Sequence, residues 1–424
     1  MKQTFTFLFA FISLGLYAQT CSGRYQTEIY NQVDVTTVDY GSAVNRLGDT
    51  VTLQMDIYQA VGDTATDRPV VIFCFGGSFT AGSRTSGELV DFATDLAKRG
   101  YVCASIDYRL AGSPLELVVE ENIVKVVFSA VQDGKAAIRY FRKDFEEGNS
   151  LGIDPDNIFI GGTSAGGILA ANLAYVDEVT KLPPEWQVWA DENGGLEGSS
   201  GNPGYCSAPN GAFGFAGAVG DTAYIDANDV PYYACHSTGD QTVKYGYGTP
   251  LENPLVTVPV SLYGSGEMEK RFNNLGIYNV LDTYNDAAHP PFFIQDPALS
   301  AQRTADTRDN LVNFLYNILD CNPNNLKKED QQGCDTGNPT SIAELNARKE
   351  WNLFPNPTDK FINVISENEI QRLIIVDAMG REMISFNDMH SKELAIEVQD
   401  LSAGVYFVYV QSGGVWTSEK LMVK

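Results

Sequence analysis

The sequence predicts an α/β fold with a mostly parallel central sheet, followed by a small all-β sandwich. Nearly continuous apolar runs such as residues 70–75 alternate with amphipathic helical patterns, a sharp glycine-rich turn at 162–167 joins a strand to a helix, and short strand patterns fill the chain after residue 350. Apolar runs of this kind are typical of strands buried on both faces of a parallel sheet. Their alternation with helices indicates repeated βα units.

Composition indicates a globular protein, and the net charge disfavours a nucleic-acid-binding one. The chain has 424 residues, of which 44% are hydrophobic and 20% are charged, as in a globular protein long enough for more than one domain. Its formal net charge of -25 disfavours nucleic-acid binding, because the long-range field repels phosphate. We therefore expect no nucleic-acid partner.

Residues 1–18 have the pattern of a removed signal peptide. Lys2 supplies a basic start, the apolar run from Phe5 to Leu16 is too short to span a bilayer, and Leu16-Tyr17-Ala18 offers a small-residue cleavage site. A buried core helix is the alternative. Since no other stretch is long and apolar enough to cross a membrane, we expect an exported protein without a membrane span.

Seven cysteines follow the predicted signal peptide, and export permits disulfides between them. The odd number leaves at least one thiol unpaired. Cys321 and Cys334 flank a polar loop and are the expected pair, whereas Cys74 and Cys103 lie in apolar strands and are expected as buried thiols. The cysteine spacing is not that of a zinc site, so no metal is expected.

The first part of the chain predicts elements of both kinds. Alternating apolar residues at 33–35 and 51–58 predict antiparallel edge strands, and the buried strand 70–75 ends at Gly76-Gly77-Ser78. The next predicted elements are a helix over 86–99, a strand over 101–108, a helix over 121–147 that Gly134 interrupts, a strand over 157–160 and a helix over 168–176.

Residues 182–210 show no period and contain many glycines and prolines. Long loops are usually functional or disordered. We interpret this segment as a lid or substrate-binding excursion, with a plain surface loop as the alternative. Trp186 and Trp189 either contact substrate or anchor the loop to the core. Strands over 213–219, 231–235 and 280–284 and an amphipathic helix around 311–319 are predicted beyond it.

Four segments follow from these patterns: the signal peptide 1–18, an α/β domain over 19–322, a polar linker over 323–350 and a β-rich domain over 351–424. Six short strand patterns in the last segment recur at the spacing of a small β-sandwich, namely 361–365, 373–377, 382–386, 395–398, 405–410 and 420–423.

Gly162-Thr163-Ser164-Ala165-Gly166 matches GxSxG. In this motif the serine lies on a strained turn between a strand and a helix, where larger neighbours would clash. A plain glycine-rich turn is the alternative interpretation. The strand predicted before the motif and the helix predicted after it favour Ser164 as a nucleophile.

A serine hydroxyl needs a base, and the base needs a carboxylate that holds its tautomer. In α/β-hydrolases, which this strand, serine turn and helix resemble, the acid and then the histidine follow the serine along the chain. Asp240 follows the strand 231–235, and His289 follows the strand 280–284. We therefore predict Ser164 as nucleophile, His289 as general base and then acid, and Asp240 as the orienting carboxylate.

The other candidates are weaker. His390 lies in the β-rich segment and drops out, which leaves His236 as the alternative base; at a strand end it is expected to form local hydrogen bonds. Asp286 is the alternative acid, but it is close to His289 in sequence.

The tetrahedral intermediate also needs backbone donors for its oxyanion. The amide of Ala165, which follows the nucleophile, is one predicted donor, and the amides of Gly77 and Ser78 are the others. This chemistry requires no cofactor.

On these residues the chain resembles secreted α/β-hydrolase carboxylesterases of the hormone-sensitive-lipase-like and bifunctional feruloyl/acetyl-xylan esterase type. The resemblance rests on residues 152–158 leading into 162–167, on Asp107-Tyr108-Arg109 and on Asp240 with Val243, and it spans about residues 40–320. It implies the α/β-hydrolase fold and a serine carboxylesterase that acts through an acyl-enzyme, with feruloyl or acetyl esters of plant polysaccharide as substrates. A lipase or polyester hydrolase has the same mechanism.

The sequence departs from this family at one position. The family's HGGG motif is here Phe75-Gly76-Gly77-Ser78, without its histidine. The backbone donors do not depend on that side chain, but the support of the loop does. The departure leaves a non-catalytic binding protein as an alternative; a serine peptidase is disfavoured because no propeller-sized region precedes the α/β domain.

The C-terminal segment resembles a type A sorting domain of type IX secretion. The resemblance rests on residues 353–358, 374–380, 401–406 and 420–423. It implies export to the cell surface or the exterior and an interaction with the type IX secretion machinery. A carbohydrate-binding sandwich is the alternative.

Overall fold

The structure is a computed structural model that describes residues 21, 23–251, 258–322, 324–326, 351–377, 382–386, 390–399, 401–412 and 415–424. The chain divides into two compact units, Met1–Cys334 and Asp335–Lys424. The predicted signal peptide 1–18 lies outside the described residues, as does most of the predicted linker 323–350.

Two sheets form the β-structure of the first unit. Its described strands are β1 (Val33–Val44), β2 (Thr50–Ala60), β3 (Arg68–Cys74), β4 (Val102–Ile106), β5 (Ile153–Thr163), β6 (Gly211–Phe215), β7 (Ala218–Val219), β8 (Tyr232–Ser237), β9 (Tyr247–Gly248), β10 (Leu262–Gly264) and β11 (Asn279–Tyr284). The large sheet has the order β1-β2-β4-β3-β5-β6-β8-β11, and β7-β10-β9 form a small antiparallel sheet.

The large sheet is parallel from β4 to β11, and its antiparallel pairs are β1 with β2 and β2 with β4. The predicted mostly parallel α/β sheet is therefore confirmed. The prediction that 51–58 is an edge strand is wrong, because β2 lies between β1 and β4 and residues 55–58 are buried. Alternation along a strand reports which face is buried but not how many neighbours the strand has.

Six α-helices are described in this unit: α1 (Gly87–Lys98), α2 (Glu120–Glu146), α3 (Ala165–Tyr175), α4 (Pro184–Glu192), α5 (Ser265–Leu275) and α6 (Pro297–Tyr316). Gly134 does not interrupt α2, contrary to prediction. A Cβ on Gly134 would lie 2.8 Å from Leu173 Cδ1, so the missing side chain allows α2 to approach α3. Helix α4 occupies part of the segment predicted to lack regular structure, and it begins at Pro184, a residue favoured at a first helical position.

One disulfide joins Cys21 to Cys321, with 5.4 Å between the Cα atoms and 300 residues between them in sequence. The predicted pair of Cys321 with Cys334 is therefore wrong. The partner of Cys321 is distant in sequence, and the composition of the loop after Cys321 carries no information about it. Cys206 is also disulfide-bonded. Cys74 and Cys103 are free and buried, as predicted.

The second unit is a small antiparallel β-sandwich. Its described strands are β12 (Trp351–Phe354), β13 (Phe361–Asp377), β14 (Glu382–Phe386), β15 (Ser391–Glu397), β16 (Gly404–Ser412) and β17 (Val415–Val423). The two strands predicted at 361–365 and 373–377 are one strand, β13, whose register shifts near residues 365–370. Its first part pairs with β12 and β15 and its second part with β14 and β16.

Candidate active site

Ser164 lies on the turn between β5 and α3, in a conformation that few residues other than glycine adopt. Its φ is 54° and its ψ is -115°, a strained combination that persists only where the surrounding structure holds it. A Cβ on either Gly162 or Gly166 would lie 2.0 Å from the carbonyl oxygen of Cys74. These two glycines therefore let the turn pack against the end of β3 and hold the serine in place.

The three side chains predicted to form a triad meet at one edge of the sheet. His289 Nε2 lies 2.7 Å from Ser164 Oγ, and His289 Nδ1 lies 2.6 Å from Asp240 Oδ2. They follow β5, β8 and β11, whose carboxyl ends lie side by side because these strands are parallel. The arrangement has the order that nucleophilic catalysis requires: a nucleophile, a base within hydrogen-bond reach, and a carboxylate that orients the base.

Asp240 is held as a carboxylate. Its Oδ1 accepts hydrogen bonds from the backbone amides of Thr242 and Val243, at 2.8 and 3.1 Å. Burial by itself raises the pKa of Asp240, but hydrogen bonds from His236 and His289 outweigh burial and lower the pKa to about 2. A carboxylate that stays ionised can stabilise an imidazolium on a histidine to which it is hydrogen-bonded.

His236, the alternative base, is fully buried and its ring nitrogens are engaged elsewhere. Nδ1 lies 2.9 Å from Ser265 Oγ, and Nε2 lies 3.0 Å from the carbonyl oxygen of Val243 and 3.4 Å from Asp240 Oδ2. Because a carbonyl only accepts, Nε2 carries the proton. The structure therefore places His236 beside the carboxylate, whereas the hydroxyl of Ser164 is bonded to His289.

Asp286, the alternative acid, also has other partners. Its Oδ1 accepts from Ser237 Oγ at 2.9 Å and from the amide of Ala288 at 3.1 Å, and its Oδ2 pairs with Arg303 at 2.5 Å. The structure thus does not bring this carboxylate to His289. It instead braces the loop that carries the histidine.

The predicted oxyanion donors occupy two turns near the serine. Ser78 and Ala165 line the same cavity as Ser164, and Gly77 is not part of the described wall. Gly77 has φ 120° and Ser78 has φ 55°. Within the described part of the chain, the amides of Gly77, Ser78 and Ala165 donate no hydrogen bond. Unpaired amides beside a nucleophile are what a developing oxyanion requires.

Phe75 stands where the resembling family has histidine, and aromatic packing supports the loop here. The Phe75 ring stacks on Tyr108, with centroids 4.1 Å apart and planes 13° apart. Tyr108 Oη donates to the carbonyl oxygen of Phe75 at 2.7 Å, and both residues are buried. The turn from Phe75 to Ser78 is thus tied to the end of β4. Sequence reasoning noted the Asp107-Tyr108-Arg109 motif but missed this contact, because no local pattern reports it.

A cavity of 450 Å³ opens beside Ser164. Helix α2, helix α3 and residues 258–263 supply much of its wall. Sequence reasoning did not identify this wall because its segments are far apart along the chain. Trp186 lines the cavity, whereas Trp189 packs on Phe128 with ring centroids 5.5 Å apart. Trp186 also packs against the cluster of Val176, Leu182 and Ala190, so both tryptophans anchor the segment, and Trp186 in addition faces the cavity.

The end of the 182–210 segment is fixed by polar contacts. Glu197 pairs with Lys135 at 3.0 Å and with Arg139 at 2.7 Å, and Ser200 Oγ donates to Asp133 at 2.6 Å. Side chains of α2 thus hold this part of the segment against the domain. Of the segment predicted as a lid or substrate-binding excursion, the cavity wall includes Leu182, Pro183, Trp186 and Leu196.

The described residues contain no group of three or more His, Cys, Asp or Glu side chains that could hold a metal ion. Among them there is also no helix with the length and apolar character needed to cross a membrane.

Comparison with protein families gives two matches. Residues 55–195 match the BD-FAE family, an esterase-like α/β-hydrolase domain, and residues 352–424 match the secretion system C-terminal sorting domain. Comparison with curated proteins gives no match.

Solved structures of a bacterial esterase are similar to the α/β unit. The apo form of Thermogutta terrifontis esterase 2 is 25% identical, with a TM-score of 0.47, and the alignment covers 66% of this chain and 93% of that one. The propionate-bound thermophilic esterase Est2 from the same Planctomycetes species is 23% identical, with a TM-score of 0.46 and the same coverage. The form of esterase 2 phosphorylated by paraoxon is 24% identical, with a TM-score of 0.47 and the same coverage.

Proposed function

We propose that this carboxylic ester hydrolase, whose C-terminal sorting domain indicates type IX secretion to the cell surface or the exterior, cleaves its substrate through an acyl-enzyme on Ser164. The observation that carries the proposal is the continuous hydrogen-bonded series from Asp240 through His289 to Ser164, with distances of 2.6 and 2.7 Å. Unpaired amides of Ser78 and Ala165 on the adjoining wall support it.

In the acylation step, His289 Nε2 takes the proton of Ser164 Oγ while that oxygen attacks the ester carbonyl carbon. The resulting oxyanion accepts hydrogen bonds from the amides of Ser78 and Ala165, and we assign Gly77 the same role. The intermediate collapses when the bond to the leaving oxygen breaks and His289 gives its proton to that oxygen. Asp240 stays ionised and balances the positive charge of the imidazolium.

Deacylation repeats these steps with water. His289 takes a proton from water while the water oxygen attacks the acyl carbon, and it returns that proton to Ser164 Oγ as the bond from the acyl carbon to the serine breaks. The products are a carboxylic acid and the regenerated serine. Every step uses side chains and amides of this chain, so we propose a mechanism without metal or cofactor.

The finer assignments are also proposals. From the resemblance, the substrates are feruloyl or acetyl esters of plant polysaccharide, with a lipase or polyester hydrolase as alternatives that share the mechanism. We place the signal peptide at 1–18, the catalytic domain at 19–322, the linker at 323–350 and the sorting domain at 351–424.

The test is hydrolysis of p-nitrophenyl esters by the purified protein and by Ser164→Ala. We expect the variant to lose activity and labelling by a fluorophosphonate, which reacts with activated serines. Ser83→Ala, at a surface serine of the same unit that pairs with Thr85, is the control and should retain both. Equal rates in the protein and in Ser164→Ala would exclude this nucleophile. A folded protein without activity on any ester would favour a binding function.

A further inference from the structure

The cavity beside Ser164 lies on the acyl side of the proposed reaction. Ser164 and the oxyanion candidates Ser78 and Ala165 are on its wall. His289, which must give its proton to the leaving oxygen, is not among the described residues of that wall. Because the leaving group departs toward the histidine, a group that extends from the carbonyl carbon into this cavity is the acyl chain.

Two apolar clusters apart from the largest one supply twelve of the 32 residues of the wall. The first joins the start of α2 to the segment near residue 258, and its lining members are Leu117, Ile123, Val127, Leu251, Val258 and Val260. The second joins α2 to α4 and its neighbours, and its lining members are Phe128, Val176, Leu182, Trp186, Leu196 and Tyr224. Apolar side chains thus surround the space that an acyl chain would enter.

The size of the cavity exceeds what a two-carbon acyl group needs. Its volume of 450 Å³ lies in the range of about 300–1,000 Å³ that holds drug-sized ligands. Acetyl would leave most of that space without contact to the substrate. Each methylene buried against apolar side chains strengthens binding by about fourfold, equivalent to about 0.8 kcal/mol. Longer acyl groups should therefore bind more tightly than acetyl.

The charges on the wall have one sign. Its described residues include two carboxylates, Glu120 and Asp221, and no lysine or arginine. Asp221 caps the short helix at Thr222–Tyr224 through the amide of Ala223, and Glu120 lies in the first turn of α2. An acyl group with a terminal carboxylate would therefore meet negative charge and find no cation.

From these observations we infer that the enzyme selects esters of medium-length or bulky, neutral, apolar acyl groups and discriminates against acetyl and against acyl groups that carry a carboxylate. This inference rests on the proposed function and narrows its substrate class: of the two acyl groups proposed there, the cavity favours feruloyl, which is bulky and uncharged, over acetyl.

The first test keeps the leaving group constant and varies the acyl group. With p-nitrophenyl esters, we expect kcat/KM to rise at least about tenfold from acetate to octanoate, since full burial of each added methylene contributes about fourfold. The monosuccinate ester should be at least about tenfold poorer than butyrate, which has the same number of carbons and no charge. Fastest turnover of acetate, or equal turnover of monosuccinate and butyrate, would overturn the inference.

Variants of the wall connect this preference to the cavity. Val127→Trp fills space and should lower the octanoate-to-acetate ratio of kcat/KM, whereas Val188→Trp, at an exposed position of α4 that does not line the cavity, should leave that ratio unchanged. Glu120→Lys should raise the monosuccinate-to-butyrate ratio. Unchanged ratios in Val127→Trp and Glu120→Lys would mean that another surface selects the acyl group.

A binding measurement separates this inference from the catalytic proposal. On Ser164→Ala protein, octanamide should raise the melting temperature, and acetamide at the same concentration should not. A shift with octanamide alone supports the acyl pocket even if no ester is turned over, which would count only against the proposed mechanism. Equal responses to the two amides would refute the pocket.

Discussion

The two sides of Ser164 are built in different ways. On one side, the loops after β8 and β11 hold Asp240 and His289 through hydrogen bonds of 2.6 to 3.1 Å. On the other side, the cavity wall consists mainly of apolar side chains from separate segments. In the proposed mechanism, these directional bonds hold the reacting groups in a productive geometry. Small displacements of such groups have large effects on the reaction rate. The side chains of an apolar wall can shift slightly without losing their contacts, and such a wall selects between substrates by the apolar area that each one buries.

This comparison predicts that the largest effects come from the hydrogen-bonded side. His289→Ala should lower kcat/KM by about 10⁵-fold or more, because nucleophile and base act as a unit. His236→Ala should keep much of the activity, since this ring bonds to Ser265 and Val243 instead of the nucleophile. Its main effect should be a loss of stability of about 1–3 kcal/mol from unpaired buried partners.

Steady-state kinetics and thermal unfolding of both variants would check this prediction. Greater activity in His289→Ala than in His236→Ala would show that His236, and not His289, is the base.

Asp240→Asn should produce the next effect, a fall in kcat of about 10³- to 10⁴-fold, because an amide does not hold the imidazole in the required tautomer. Asp286→Asn is the matched control, since Asp286 pairs with Arg303 and Ser237. We expect that variant to stay within about tenfold of the parent protein. A larger loss of activity in Asp286→Asn than in Asp240→Asn would show that Asp286, and not Asp240, orients the histidine.

The stability of Asp240→Asn should also depend on pH in a defined direction. The pKa of Asp240 is lowered from 3.8 to about 2 in the folded protein. A carboxyl group whose pKa is lowered by folding stabilises the fold above its unfolded pKa, and this contribution is lost as pH falls through its folded pKa. Asp240→Asn should thus be less stable than the parent at pH 7, and the difference should shrink between about pH 4 and pH 2. Thermal unfolding at pH 7 and pH 3 measures it; a difference that grows in acid would contradict this.

Tyr108→Phe should give the smallest of these effects, a fall in kcat of about tenfold with little change in KM. The variant keeps the ring stacked on Phe75 but removes the hydrogen bond to the Phe75 carbonyl, so the turn that carries Ser78 is held less firmly. Its inhibition by a boronic acid that mimics the tetrahedral intermediate should weaken by a similar factor.

Tyr101→Phe is the matched control. Tyr101 is also a buried tyrosine, but its hydroxyl has no hydrogen-bond partner among the described residues. Its removal should change neither kcat nor inhibition. Equal effects in the two variants would show that Tyr108 acts through general stability instead of through the turn.

Predictions from the sequence succeeded where the signal lies within one element or one turn. The buried strand at 70–75 and the GxSxG turn were recognised because apolar runs and small residues report burial and tight turns directly. The chain order of serine, acid and histidine then sufficed to select Asp240 and His289, which the structure places in contact with each other and with Ser164.

Predictions failed where the answer depended on residues far away in sequence. Cys321 pairs with Cys21 across 300 residues. Gly134 predicted a helix break, but in the structure its missing side chain allows α2 to pack closely against α3. Helix α4 was missed because its burial depends on other segments, with Ala190 its one fully buried residue.

The amino-acid sequence by itself determined the alternation of strands and helices, the strained serine turn, the candidate triad and the two recognisable domains, because each is encoded in neighbouring residues or in chain order. Only the tertiary structure decided that Tyr108 supports the turn after Phe75, that His236 lies beside Asp240, and that an apolar cavity adjoins the serine. These features arise where distant segments pack together, and their shape depends on how each segment fills the space left by the others.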